Sequence, residues 1–288
     1  MTSLRGLIKK NGTVWAAGAF DALSARLIEE AGFDALLTSG YGISSSFLGE
    51  PDTEIYTMSE NLTVTRNICN AVTIPVIADI DTGYGNPINA MRTMREFESA
   101  GASAVIMEDQ VSPKRCPCSS LEIDIISMEE AVAKLRAVVS VRRNPETLII
   151  ARTDAVDPNE AMRRAKAYVA AGADIIQPIS RCFKDIAGLR SMRKAAGVPL
   201  SLQLLGWLEK DLSQAEIEEV AGIATYPLVA LMSATQAMRE NLKVLSETKS
   251  SKKLPRSVIP MSDFGDFIGF PRIDALQKKF MVSEKIVA

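Results

Sequence analysis

Eight short apolar runs, separated by amphipathic stretches, constrain this chain more than any other feature. They fall at about Val14–Gly18, Ala35–Thr38, Val76–Ile80, Ala104–Met107, Leu148–Ala151, Asp174–Pro178, Pro199–Leu204 and Ile223–Tyr226. The runs are continuous rather than alternating, as strands covered on both faces require. A second mark accompanies them. Ala-Gly recurs at Ala31-Gly32, Ala100-Gly101, Ala171-Gly172, Ala196-Gly197 and Ala221-Gly222, after an amphipathic stretch and before an apolar one. A glycine just past a helix end takes the left-handed conformation that a Cβ would oppose. The unit therefore reads helix, glycine stop, buried strand. The helix before Gly32 starts at an N-cap, Asp21, and sets Leu23, Leu27, Ile28 and Ala31 on one face. A later helix, Asn159 to Ala171, aligns Ala161, Ala165, Tyr168 and Val169.

Strict alternation of eight strands with helices predicts an α/β fold, a (β/α)8 TIM-type barrel. The alternative is a doubly wound open sheet, but no G-x-G-x-x-G follows the first run. The 288 residues suit a single barrel domain over 1–288 with a C-terminal helical extension at about 231–288. Within that extension, helices are expected at about Leu231–Glu247 and Met261–Phe280, with Pro255 and Pro260 between them and Phe264, Phe267 and Phe270 making the second aromatic. The second helix either packs on its own barrel or is exchanged with a partner subunit.

Several functions are excluded at this level. A net charge of −2 offers no surface for nucleic acid. The basic run Lys249–Lys253 reads as a solvated loop. No apolar stretch reaches membrane-spanning length. The N-terminus is expected to carry no secretory signal, being short and charged. Four cysteines (Cys69, Cys116, Cys118 and Cys182) make no disulfide framework for a chain this long, which points to a reducing cytoplasm. Histidine is absent, so acid–base chemistry falls to Asp, Glu, Lys, Tyr or Cys.

A barrel enzyme builds its site at the C-terminal ends of its strands. The strongest polar signals lie there: Ser39-Gly40-Tyr41 after the second run, Asp79 and Asp81 at the third, Glu108-Asp109-Gln110 at the fourth and Arg152-Thr153-Asp154 at the fifth. On a strand, Asp79 and Asp81 would face the same way, and Glu108 on the neighbouring strand adds a third carboxylate. Like charges so placed are costly without a cation. Carboxylates without His or Cys suit a hard ion, Mg²⁺ or its substitute Mn²⁺. The alternative is that these acids cap helices or pair with Arg152 and Lys114. The connection Gln110–Leu121 is long and carries Lys114, Arg115, Cys116 and Cys118. It reads as a lid, with a Cys116 thiolate favoured by its basic neighbours and able to pass a proton to a carbanion. A Cys116–Cys118 zinc site is the weaker alternative.

The segments Phe20-Asp21-Ala22-Leu23-Ser24-Ala25, Ser39-Gly40-x-Gly42, Leu48-Gly49-x-Pro51-Asp52, Asp79-x-Asp81-x-Gly83-Tyr84-Gly85, Glu108-Asp109-Gln110, Lys114-Arg115-Cys116, Ala151-Arg152-Thr153-Asp154-Ala155 and Tyr226-Pro227-Leu228 span nearly the whole chain. Together they resemble the isocitrate lyase/phosphoenolpyruvate mutase superfamily, and Lys-Arg-Cys resembles its methylisocitrate lyase/dimethylmalate lyase branch. The resemblance implies Asp81 as the nearest metal ligand, with Asp52, Asp79 and Glu108 holding the metal mostly through water. It implies Ser39, Gly40 and Arg152 as carboxylate binders, and Lys114 and Cys116 on a mobile loop with Cys116 as proton donor. It also implies a helix-swapped dimer, usually within a tetramer.

The chain departs from the lyase pattern in its distal pocket. A loop Gly-His is replaced by Pro117-Cys118, a Tyr by Leu37, a Glu by Ile179 and an Asn by Gln203. Tyr41 is left as the candidate general base. The expectation is a Mg²⁺-dependent lyase cleaving a carbon–carbon bond of a small 2-hydroxy or 2-oxo carboxylic acid. An oxaloacetate decarboxylase or hydrolase, a phosphonopyruvate-type P–C mutase or hydrolase, and a non-catalytic carboxylate-binding descendant are the alternatives.

Overall fold

The computed structural model describes residues 3–117, 119–120 and 122–281, so the Cys116–Cys118 alternative lies outside the described residues. Its strands are β1 (Val14–Ala19), β2 (Ala35–Thr38), β3 (Val76–Asp79), β4 (Ala104–Glu108), β5 (Leu148–Thr153), β6 (Ile175–Pro178), β7 (Leu200–Gln203) and β8 (Ala221–Tyr226). All pair in parallel and in chain order, and β8 closes on β1. The expected (β/α)8 barrel is therefore present.

The apolar runs serve two cores at once. Alternate residues such as Leu37, Ile77, Ile106 and Ile150 fill the barrel interior, where Leu4 joins them. Their neighbours, such as Ala78, Val105, Ile149 and Ile176, face outward and pack under the helices. This is why the runs are continuous. Leu4 belongs to a helix, Leu4–Asn11, capped by Ser3 and stopped by Gly12 at φ 81°, which the sequence reading did not include.

Four of the five glycine stops hold: Gly32, Gly101, Gly172 and Gly197 have φ of 87°, 104°, 106° and 72°. Gly222 does not stop a helix. It lies inside β8, where a Cβ would come within 2.7 Å of the Pro199 ring. Close packing, not backbone conformation, requires glycine there. Asp21 caps the helix Ala22–Glu30 in a reciprocal capping box with Ser24. That box turns Ser24, Ala25 and Ile28 inward, so the expected stripe is corrected: Leu23 and Leu27 are exposed.

The chain divides into two compact units, one up to Met232 and one from Ser233. The barrel belongs to the first. In the second, helices Met261–Ile268 and Phe270–Phe280 are separated by Gly269 at φ 101°, where the sequence reading drew one helix. None of their residues is buried. Among the described residues, no helix is long and apolar enough to cross a membrane.

Candidate active site

The charged residues gather at the C-terminal mouth, each placed by a strand end. β3 ends at Asp79, one residue earlier than expected, and Asp81 lies beyond it at φ 48°. The two carboxylates therefore do not converge by strand alternation. Asp81 is turned back by a left-handed conformation unusual for a non-glycine residue, which surrounding contacts must hold in place. Those contacts are the phenol hydroxyls of Tyr56 and Tyr84, which donate to Asp81 Oδ2 at 2.6 and 2.7 Å. Asp81 N–H donates to Asp79 Oδ1 at 3.1 Å. Gly40 lies against the same acids: a Cβ on it would come within 3.0 Å of Asp79 Oδ2 and 3.4 Å of Asp81 Oδ1.

Two cations meet this cluster. Lys114 Nζ is 2.5 Å from Asp81 Oδ1 and 3.0 Å from Asp52 Oδ1. Arg152, in register with Glu108 across β4 and β5, approaches Glu108 Oε2 at 2.7 Å and Asp154 Oδ1 at 2.9 Å. The pairing raised as the alternative from sequence is thus present, yet it does not balance the acids. Asp52 Oδ1, Asp81 Oδ1 and Glu108 Oε2 are met by these cations without an aligned hydrogen bond, and the buried Glu108 Oε1 has neither ion pair nor hydrogen bond. Burial, reinforced by Asp81, lifts the Asp79 pKa to about 6. Burial also pushes Glu108 well up despite Arg152 and Lys114. Burial alone would lower the pKa of Lys114, but Asp81, Asp52 and Glu108 outweigh it and hold the ammonium charged. Among the described residues, no three acids are gathered closely enough to form a ready metal cluster, and the two cations stand between them. Even so, the donor set is all oxygen, buried and incompletely partnered, which fits a hard divalent ion.

Arg152 is held from behind. Asp154 takes its Nε and Nη2 protons, Asp154 N–H donates to Asp109 Oδ1, and Asp109 Oδ2 accepts from Arg164 and Tyr168 on the helix Pro158–Ala170. Asp109, part of the Glu-Asp-Gln motif, serves this scaffold rather than the cluster.

A cavity of about 110 Å³ opens beside the acids. It is somewhat smaller than the roughly 150 Å³ that admits benzene in an engineered protein interior, so its occupant is a small molecule. Its polar lining includes Ser39, Tyr41, Asp52, Asp79, Cys116, Arg152, Gln177 and Gln203. Its apolar lining includes Leu37, Ile106, Ile179, Leu205, Pro227 and Leu228. Gln177 Oε1 accepts from Ser201 Oγ at 2.9 Å and Gln203 Nε2 at 3.2 Å. Arg152 is the one cationic side chain among the lining residues.

Every site residue named from the sequence lies in this region. Asp81 and Glu108 are not among the lining residues, and Gly40 packs on the acids. Tyr56, Tyr84 and Gln177 were missed as site residues. Tyr84 stood within a quoted motif without a role, while Tyr56 and Gln177 carry no local signal.

A closed parallel barrel with a buried acid cluster at its mouth defines a barrel enzyme of the small-molecule kind. A model of the phosphoenolpyruvate phosphomutase family matches residues 4–245, and the chain belongs to the phosphoenolpyruvate mutase/isocitrate lyase superfamily. It is similar to 2,3-dimethylmalate lyase of Eubacterium barkeri, 36% identical over 291 residues and 96% of each chain. It is also 36% identical over 272 residues to 2-methylisocitrate lyase of Aeropyrum pernix, covering 93% of this chain and 86% of that one. Among solved structures, phosphonopyruvate hydrolase in complex with oxalate and Mg²⁺ superposes with a TM-score of 0.87 at 31% identity, over 98% of this chain and 100% of that one.

Proposed function

We propose that this protein is a Mg²⁺-dependent carbon–carbon lyase that cleaves a small 2-hydroxy acid bearing at most two carboxylates. One observation carries the substrate reading: Arg152 is the one cationic residue among the cavity's lining, beside apolar Leu37, Ile106, Ile179, Leu205 and Leu228. A third carboxylate would find no second cation in that lining and stay unpaired, at a cost large enough to reject it. The relatives' names, dimethylmalate lyase and methylisocitrate lyase, support the reaction class.

Asp81 would hold the metal most closely, and Asp52, Asp79 and Glu108 would complete its surroundings. When bound, Mg²⁺ supplies positive charge for the oxygens of the 2-oxo acid portion. Arg152, fixed by Asp154, orients a substrate carboxylate and opposes the charge that develops as the bond breaks. Tyr41, one of the lining residues, would take the hydroxyl proton. The electron pair of the cleaved bond passes to the departing fragment as an enolate, and the hydroxyl carbon becomes a ketone. Cys116, on the same wall, delivers the proton that quenches that enolate. Lys114 holds the loop against Asp52 and Asp81 and keeps water out. The uncovered helices after Met261 support a helix exchange between copies of this chain in a dimer, and a tetramer as its assembly. The cysteine usage supports a cytoplasmic location.

The test is release of 2-oxo acid from a panel holding 2,3-dimethylmalate, malate derivatives, oxaloacetate, phosphonopyruvate and methylisocitrate, with and without Mg²⁺. We expect dimethylmalate to exceed methylisocitrate in kcat/KM by at least about tenfold, the worth of roughly 1.4 kcal/mol. Preference for methylisocitrate would overturn the reading of the distal pocket. Turnover of phosphonopyruvate alone would overturn the reaction class.

A further inference from the structure

Glu54 is not among the residues lining the cavity beside the acids, yet its carboxylate joins three separate segments. Oε1 accepts from Thr82 Oγ1 at 2.6 Å. Oε2 accepts from Ser112 Oγ at 2.8 Å and from the backbone N–H of Lys114 at 2.9 Å. Thr82 follows Asp81 directly, Glu54 itself stands between Asp52 and Tyr56, and Ser112 and Lys114 lie on the long connection after β4. Glu54 has φ 56°, left-handed for a residue that rarely adopts it, so the position is set by its contacts rather than by local preference.

We infer that Glu54 is a positioning residue: a latch that fixes the Lys114–Cys116 loop over the site and ties it to the segments bearing Asp52 and Asp81. The backbone N–H of Lys114 is held by Glu54 while its ammonium, at the other end of the same residue, contacts Asp52 and Asp81. Side-chain charge alone would leave the loop free to pivot about a flexible four-carbon stem. Fixing the backbone as well sets where Cys116, two residues on, meets the cavity. At its far end the loop is held more simply, by Arg181 Nη1 donating to Ser120 O at 2.7 Å. The inference rests on reading this loop as the lid of the proposed lyase, but its test needs no substrate.

The experiment follows alkylation of Cys116 by iodoacetamide in the whole protein, resolved by peptide mass spectrometry. Cys69 and Cys182 serve as internal references, because burial pushes their thiols up to about 11 and about 12 and keeps them slow. Cys116 is buried in the parent. Glu54→Ala removes three hydrogen bonds at once, so Cys116 should label at least about tenfold faster with the reference cysteines unchanged. Glu54→Gln should label near the parental rate, since one amide oxygen can still accept from Ser112 and Lys114 while Thr82 turns its hydroxyl to accept. Ser112 is exposed, so Ser112→Ala tests the same latch without threatening the fold, and should give a smaller rise at Cys116 alone. A parental Cys116 rate in both Glu54→Ala and Ser112→Ala overturns the inference. So does a rise shared equally by Cys116, Cys69 and Cys182 in Ser112→Ala. If the latch variants behave as expected while the parent turns over no acid in the panel above, the latch stands and the lyase reading falls.

Discussion

Gly40→Ala separates the site from the scaffold. Gly40 opens the helical turn Gly40–Ile43 with Ser39 as its cap, and its φ is not in the left-handed region. The backbone would welcome alanine there, by up to about 1 kcal/mol of helix preference. The added Cβ would instead stand 2.7 Å from Tyr56 Oη and 3.0 Å from Asp79 Oδ2. Both atoms must retreat by several tenths of an ångström, and the retreat of Tyr56 breaks or stretches its 2.6 Å bond to Asp81. A hydrogen bond to a charged group contributes about 1.5–3 kcal/mol. Whatever depends on the placement of Asp81 should therefore weaken by roughly 10- to 100-fold. The assay is Mg²⁺ titration by calorimetry alongside kcat/KM, with a melting curve on the same sample. We expect both affinity and turnover to fall while Tm stays within a few degrees of the parent. Parental Mg²⁺ affinity and turnover in Gly40→Ala would refute the claim that Gly40 holds open the space around the acids.

Three further outcomes follow from the same geometry. Asp81→Ala should abolish turnover and the Mg²⁺-induced rise in Tm while leaving a folded barrel, since Asp81 is at the mouth and outside the packed interior; full activity would remove the metal argument. The raised pKa of Asp79 means the folded state binds its proton more tightly than the unfolded one. That contribution to stability is present below 3.8 and lost as pH rises through about 6. Mg²⁺ should accordingly raise Tm more at pH 7.5 than at pH 5, and equal gains at both would contradict it. Deleting residues 261–288 should lower Tm and shift the oligomeric state seen by light scattering, because none of the residues of the two helices there is buried in a single chain; an unchanged assembly with parental heat stability would rule out the exchange.

The barrel was legible because its physics is local. Strands buried on both faces must be apolar at every position, and a helix end before a strand needs a residue tolerant of positive φ. Where glycine serves a different need, as Gly222 does against Pro199, the same letter misleads. The acid cluster was legible for a coarser reason, that carboxylates at strand ends are costly and so conspicuous. The way it is assembled was not. Asp79 and Asp81 converge through a left-handed turn held by two tyrosines, one of them Tyr56, which is 25 positions away in sequence. No periodicity encodes a contact of that kind. Gln177 was equally silent, since its partners Ser201 and Gln203 are on the next strand.

The groups that line and support the cavity are distributed unevenly around the barrel. The acids, Arg152 and the chain of support running back to Arg164 belong to β2–β5 and their connections. Of the apolar lining, Pro178, Ile179, Leu205, Pro227 and Leu228 belong to β6, β7, β8 and the turns after them, with Leu37 and Ile106 on β2 and β4. Under the proposed function, substitutions at Ile179, Gln203 or Leu228 would change what is accepted without rebuilding what is done to it. A lineage holding such a barrel can exchange one acid for another by a few steps on one side of the mouth, each intermediate still active. For a designer, libraries confined to the turns after β6, β7 and β8 would vary specificity while the machinery for bond cleavage is inherited intact.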